Sequence, residues 1–292
     1  RSVSVTELSL ADGFAALNRG DLATAGEACK QALAVNQKYV PAHFLVGLVA
    51  LEGKQRQVAH EAFKSVVKLD RDHAAAWAHL AKLNVGEGRI AAAESALREV
   101  RRIQPSDPMV IELTGTVLNS LGEYEAAEIF FERAHQMVPQ SPSALMNLGN
   151  VRVFLGKIDE AVALFKRAIE LEPNSAQCHW GLANSEKAKD DTHIKSMRGL
   201  IDSGRQSKRS QGFLHYAIGK ENEDLGNWAD AFSAFTQGAQ ARRETVEFGE
   251  TDEAAMFEAI KETYTAEWLA SAAPGAEDPA PIFVLGQPRT GT

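Results

Sequence analysis

Cysteine is nearly absent from this chain. The two present among 292 residues, Cys29 and Cys178, lie 149 positions apart, which excludes a disulfide framework and suits two reduced thiols in the core. No apolar run approaches the roughly 18 residues that span a bilayer, so no membrane anchor is expected. A charged-then-apolar leader is also missing, and the chain opens on Arg1 rather than Met, as expected of a trimmed cytoplasmic piece. An excess of basic charge is lacking too. Residues 1–243 hold 29 acidic and 29 basic side chains, which gives nucleic acid no electrostatic reason to bind. The net charge of −8 arises further on, where residues 244–279 carry ten acids against Lys261 alone and read as a solvated face and linker. What remains, 45% hydrophobic and 24% charged, is the composition of a soluble folded protein.

What the chain does have is a period. Gly13, Gly47, Ala81, Gly115, Gly149 and Ala183 stand 34 residues apart, and Gly219 follows after 36. Twelve residues further on in the same register come Ala25, Ala59, Ala93, Ala127, Ala161 and, past a break, Ala231. Small residues recurring this way mark places where two helices of a hairpin approach closely. Cys29, Phe63, Leu97, Phe131, Phe165 and Phe235 form a bulky stripe that reads as core. Five full repeats follow: 6–39, 40–73, 74–107, 108–141 and 142–175. In the clearest, Leu145, Leu148 and Arg152 share one helix face, and Gly156 breaks the chain. Ala161, Phe165 and Ala168 then face inward, and Pro173 ends the repeat.

This pattern resembles the tetratricopeptide repeat, a solenoid of helix pairs. The resemblance implies an all-α, right-handed superhelix of about seven hairpins plus a terminal helix. Residues 1–175 hold the regular repeats, and 176–211 a degenerate one with a basic loop at Ser203–Ser210. There the first helix is expected over Cys178–Lys189, and Lys195, Gly199 and Asp202 replace the usual small and aromatic residues of the second. A further repeat occupies 212–245, and an acidic terminal helix 246–270. That helix, capped by Thr251 or Asp252, carries Phe257, Ile260, Tyr264 and Trp268 on the face expected to cover the end of the stack. Residues 271–281 form a Pro/Ala-rich linker.

The last stretch, 282–292, combines four apolar residues suited to a short C-terminal strand, Ile282–Leu285, with a turn from Gly286 through Pro288, Arg289, Thr290 and Gly291 to Thr292. Glycines that let amides converge, followed by a hydroxyl, resemble a phosphate loop without its lysine. Strand followed by G-x-P-R-T-G-T resembles the 5′-phosphosulfate loop that opens the sulfotransferase family, and the whole order resembles bacterial tetratricopeptide–sulfotransferase fusions of protein-tyrosine sulfotransferase type. Gln287 departs slightly from that family, which often has Met there. The resemblance implies 3′-phosphoadenylyl sulfate (PAPS) as cofactor of an intact parent, with Arg289 on the phosphosulfate and Thr290, Gly291 and Thr292 as donors. The family's remaining PAPS contacts and its acceptor-activating base would lie past residue 292, so no cofactor binding and no sulfate transfer are expected of these residues alone.

The repeat family commonly lines its concave groove with fixed positions. Carried over, these are Phe44, Leu48, His79, Lys82, Thr116, Asn119, Asn147, Asn150 and Asn184. A ladder of amides can bond an extended peptide backbone, or these asparagines can simply be solvated or satisfy local carbonyls. His43, His179 and His215 fall where Trp77 and Leu145 stand in sister repeats and read as packing residues. His73 and His79 lack a Cys or carboxylate set at ligand spacing, so no metal is expected. The leading expectation is a scaffold presenting a protein or glycan acceptor to a sulfotransferase. A non-enzymatic adaptor is the alternative, and self-association through solenoid ends or grooves is a third.

Overall fold

The computed structural model describes residues 5–246 and 250–271, all helices and turns with no strand among the described residues. The chain divides into two compact units, Arg1–Arg243 and Glu244–Thr292. The first is an array of paired helices: α1 (Val5–Asn18) with α2 (Leu22–Val35), α3 (Val40–Glu52) with α4 (Arg56–Leu69), and α5 (Ala74–Gly86) with α6 (Ile90–Ile103). Next come α7 (Pro108–Ser120) with α8 (Tyr124–Met137), and α9 (Pro142–Phe154) with α10 (Ile158–Leu171). An irregular stretch, α11 (Ala176–Ser185) and α12 (Thr192–Asp202), precedes the last pair, α13 (Lys208–Asp224) and α14 (Trp228–Arg243). The expected all-α solenoid is what the chain forms.

Local chemistry sets the helix limits. Pro108 and Pro142 open their helices, where the missing N–H costs nothing, and Asp21, Asp107 and Ser141 accept bonds from first-turn amides. Each regular hairpin turns through one left-handed residue, such as Gly122 (φ 78°) or Gly156 (φ 74°); in the second hairpin that residue is Lys54 (φ 57°).

The periodic small residues have a definite partner. A Cβ on Gly47, Gly115, Gly149 or Gly219 would fall 2.5–2.8 Å from the ring of Phe63, Phe131, Phe165 or Phe235, sixteen residues later on the facing helix. The ring of Phe165 also fills the space above Gly181, so it closes the joint to the following helix. Phe63, Leu97, Phe131 and Phe165 are all at most 2% exposed, which makes the expected bulky stripe the core.

Three details differ from expectation. Helix α11 ends at Ser185 rather than reaching Lys189, because residues 186–191 are drawn onto α13. Asp224 accepts from the Ala188 amide at 2.9 Å, and Lys220 donates to the Glu186 carbonyl at 2.8 Å. The basic loop is shorter than Ser203–Ser210, since Ser207 Oγ caps the Ser210 amide at 3.2 Å and starts α13 at Lys208. In the second unit, α15 (Glu250–Thr263) already includes Thr251 and Asp252, and α16 (Ala266–Ser271) begins a new helix capped by Thr265. There Phe257, Ile260, Tyr264 and Trp268 are 45–62% exposed. The strand and phosphate loop expected over 282–292, with Gly286, Pro288, Arg289, Thr290, Gly291 and Thr292, lie outside the described residues.

Candidate functional site

A cleft of about 1160 Å³ lies across the first helices of the N-terminal hairpins. Leu17, Leu48, Leu51 and Leu83 give it an apolar floor, the exposed Met109 also lines it, and Lys54, Arg56 and Lys82 accompany a single acid, Glu52. Of the groove residues expected from the sequence, Leu48, His79 and Lys82 meet here. Phe44 sits behind them, its ring 4.6 Å from His73 and 6.0 Å from His79. His79 stacks flat on Phe63, with centroids 4.8 Å apart and planes 6° apart. Burial, with smaller contributions from Lys82 and His73, lowers its pKa to about 4, so the ring is neutral at pH 7. The rim is therefore basic through lysine and arginine, not histidine.

The other expected positions are dispersed. Thr116 lines a second cleft of about 460 Å³ with Glu112, and its hydroxyl donates to the Glu112 carbonyl at 3.0 Å. Asn147 donates to the Glu112 carboxylate at 2.7 Å, so its amide is engaged by the preceding hairpin. Asn184 donates to the Trp180 carbonyl of its own helix at 2.8 Å, the local arrangement the sequence left open. Asn119 keeps a buried Oδ1 with no hydrogen-bond partner, and Asn150 is half-buried on α9.

A polar role at the fourth position of the repeat escaped the sequence reading, which took these rings as packing. The ring N–H groups of His43, Trp77 and His179 donate to the carbonyls of Gln37, Arg71 and Pro173, each six residues earlier, at 2.8, 2.9 and 2.8 Å. Each ring thus satisfies a carbonyl of the loop entering its hairpin. The signal was that four repeats share an N–H-bearing ring there, His43, Trp77, His179 and His215, where Leu145 stands in another.

Charge is also buried between hairpins four and five. Arg152 reaches Glu128, Glu132 and Glu160 at 3.1, 2.6 and 3.1 Å, and Lys157 adds a 2.7 Å contact to Glu128. Burial raises the Glu128 carboxyl, but Lys157 and Arg152 outweigh it and hold the pKa below its ordinary value. Among the described residues no helix is long and apolar enough to cross a membrane.

Comparison with known proteins agrees with this architecture. Residues 50–115 and 118–185 match the tetratricopeptide repeat family. No curated protein sequence matches the chain. Among solved structures, the human IFIT1 dimer with m7Gppp-AAAA is similar at TM-score 0.65 and 17% identity, over 82% of this chain and 61% of that one. This chain therefore spans less than two thirds of that protein's length. The thermophilic tetratricopeptide protein TTC0263 of Thermus thermophilus is similar at TM-score 0.52 and 21% identity, over 62% and 98% of the two chains. Pseudomonas aeruginosa pilF gives 0.53 and 21%, over 76% and 97%. At these identities the likeness speaks for fold. Residues 50–115 and 118–185 thus carry tetratricopeptide repeats, and the paired helices form a solenoid of that type.

Proposed function

We propose that the chain is an interaction scaffold whose N-terminal cleft holds an extended protein segment with apolar and acidic side chains. The observation that carries this reading is the leucine floor beneath Lys54, Arg56 and Lys82, opposed by Glu52 alone, in an array otherwise balanced in charge. Apolar side chains of the ligand give affinity, and the cationic rim selects acidic neighbours. In this reading the scaffold brings a hydroxyl-bearing acceptor to a PAPS-dependent sulfotransferase part, of which residues 286–292 are the phosphosulfate loop. Support for that second step is the resemblance of the loop sequence and of the domain order. Human IFIT1 is seen with a capped RNA, but the equal acid and base counts of residues 1–243 favour a protein ligand here.

The test is peptide selection on the 292-residue chain, followed by fluorescence anisotropy with the selected peptides. Selected peptides are expected to be acidic and apolar. The Leu48→Asp/Lys82→Glu variant should weaken them at least tenfold, about 1.4 kcal/mol, with the far-UV circular dichroism unchanged. Equal affinity for both proteins would remove the cleft from the reading.

A further inference from the structure

In hairpins two, four and five, a glycine on the first helix receives an aromatic ring from the second. In the sixth pair the matching residues are Ala183 and Gly199, both small, and α11 and α12 each pack on α13 rather than on one another. An apolar cluster of Ala183, Ile194, Met197, Leu214 and Ile218 lies between the three helices, and beside it runs a polar chain. On α11, His179 is 1% exposed and its Nε2 lies 2.8 Å from the Pro173 carbonyl oxygen. A carbonyl only accepts, so that nitrogen carries the hydrogen, and Nδ1 of the neutral ring is a lone pair. Burial, the main influence on this ring, disfavours its charged form. His193 Nε2 of α12, 2.7 Å away, must then donate to it. A neutral His193 has no hydrogen left for its Nδ1, yet that atom is 2.5 Å from Glu221 Oε1 of α13. Glu221 is 4% exposed, and its other oxygen is buried with no hydrogen-bond partner.

We propose that His179, His193 and Glu221 form a proton-keyed clasp. It adds to the apolar packing of α11, α12 and α13 only when the His193–Glu221 contact holds one proton beyond those of two neutral rings and an ionised carboxylate. Without that proton a lone pair faces a buried carboxylate, which has no donor to offset its burial. A cleft of about 520 Å³ opens on His193 and Glu221, which gives solvent protons a route to the chain.

The sign of the pH effect follows from proton counting. In the unfolded chain a histidine gives up its proton above about pH 6.5 and a glutamate above about 4.3. The closed clasp binds more protons than the open one above that range, so its stability falls as pH rises. One linked proton changes the opening equilibrium by at most about tenfold per pH unit. Other charged groups line the same cleft, Lys166 of α10 and Glu186, Lys187, Lys189 and Asp190 of the connecting loop, while Lys195 of α12 pairs with Asp191 before it and Lys220 with Asp224 on α13. They are shared by wild type and Glu221→Gln. In that variant the amide can donate to His193 Nδ1 with no extra proton.

Hydrogen–deuterium exchange of the 292-residue chain, corrected for the intrinsic rate, tests this between about pH 6.5 and 8.5. In wild type the α12 amides should lose protection by up to about tenfold per pH unit, and in Glu221→Gln they should not. Parallel profiles would overturn the clasp. Should the variant fail to fold, histidine 15N spectra of wild type at pH 7 count the hydrogens directly. A third hydrogen in the chain supports the proposal; a bare His193 Nδ1 opposite an ionised Glu221 refutes it.

Discussion

Lys54 is one of two non-glycine residues at positive φ among the described residues. It holds the left-handed turn position (φ 57°) that glycine fills at 20, 88, 122 and 156, the same register of 34 residues. A side chain there costs about 1–2 kcal/mol, which glycine avoids while giving up some entropy of its own. Lys54→Gly should therefore raise stability by about 1 kcal/mol in thermal or urea unfolding, and a lower melting temperature would contradict the argument. The recurring glycines were legible as close approaches, and the bulky stripe as core. Their mutual fit was not, because the ring that needs the space lies on the facing helix. Size is traded within the pair: glycine meets phenylalanine at 47/63, 115/131 and 149/165, while Ala81 stands sixteen residues before the smaller Leu97.

Between elements, the helix pairs share one design but the joints differ. Most first helices pack on the second helix before them, whereas α7 packs its backbone on α5. The chain reaches α7 through Gln104, left-handed at φ 54°, where the ends of α2 and α4 leave in an extended conformation. Nothing in the period announces this, since a single backbone angle decides it. The joint between hairpins four and five adds an ionic cluster to its apolar packing, and Arg152 is the centre of that cluster at 16% side-chain exposure. Arg152→Met would leave Glu128 buried with Lys157 as its remaining cation. Breaking a fully buried pair costs about 3–5 kcal/mol; with Lys157 retained and the site partly wet, a loss of about 1–2 kcal/mol is expected in urea unfolding. A Glu128→Leu/Arg152→Met double variant should recover most of it. If the double variant is no better than the single, the joint is not held by charge.

Across the whole array, contacts run between adjacent hairpins, so stability is local. Phe63 is fully buried against Gly47 and His79, and Phe63→Ala should cost about 3–5 kcal/mol. Hydrogen exchange should place that loss in α1–α6 and leave α13 and α14 protected; uniform loss would mean one cooperative body instead. The solenoid was legible at this scale because every repeat restates the same helix faces. The groove was legible only in part. Leu48, His79 and Lys82 converge, but Asn147 and Asn184 are engaged by Glu112 and Trp180, partners that depend on rotamers and neighbouring hairpins. Lys54 and Arg56 enter the cleft from a turn and a second helix, outside the positions the repeat pattern nominates.

In hairpins two, four and five a ring fits a glycine of its own hairpin, so each of these modules brings much of its own interior seal. Tandem duplication of the corresponding stretch of coding sequence would lengthen the binding surface without requiring any older module to be redesigned, and loss of one would shorten it just as cleanly.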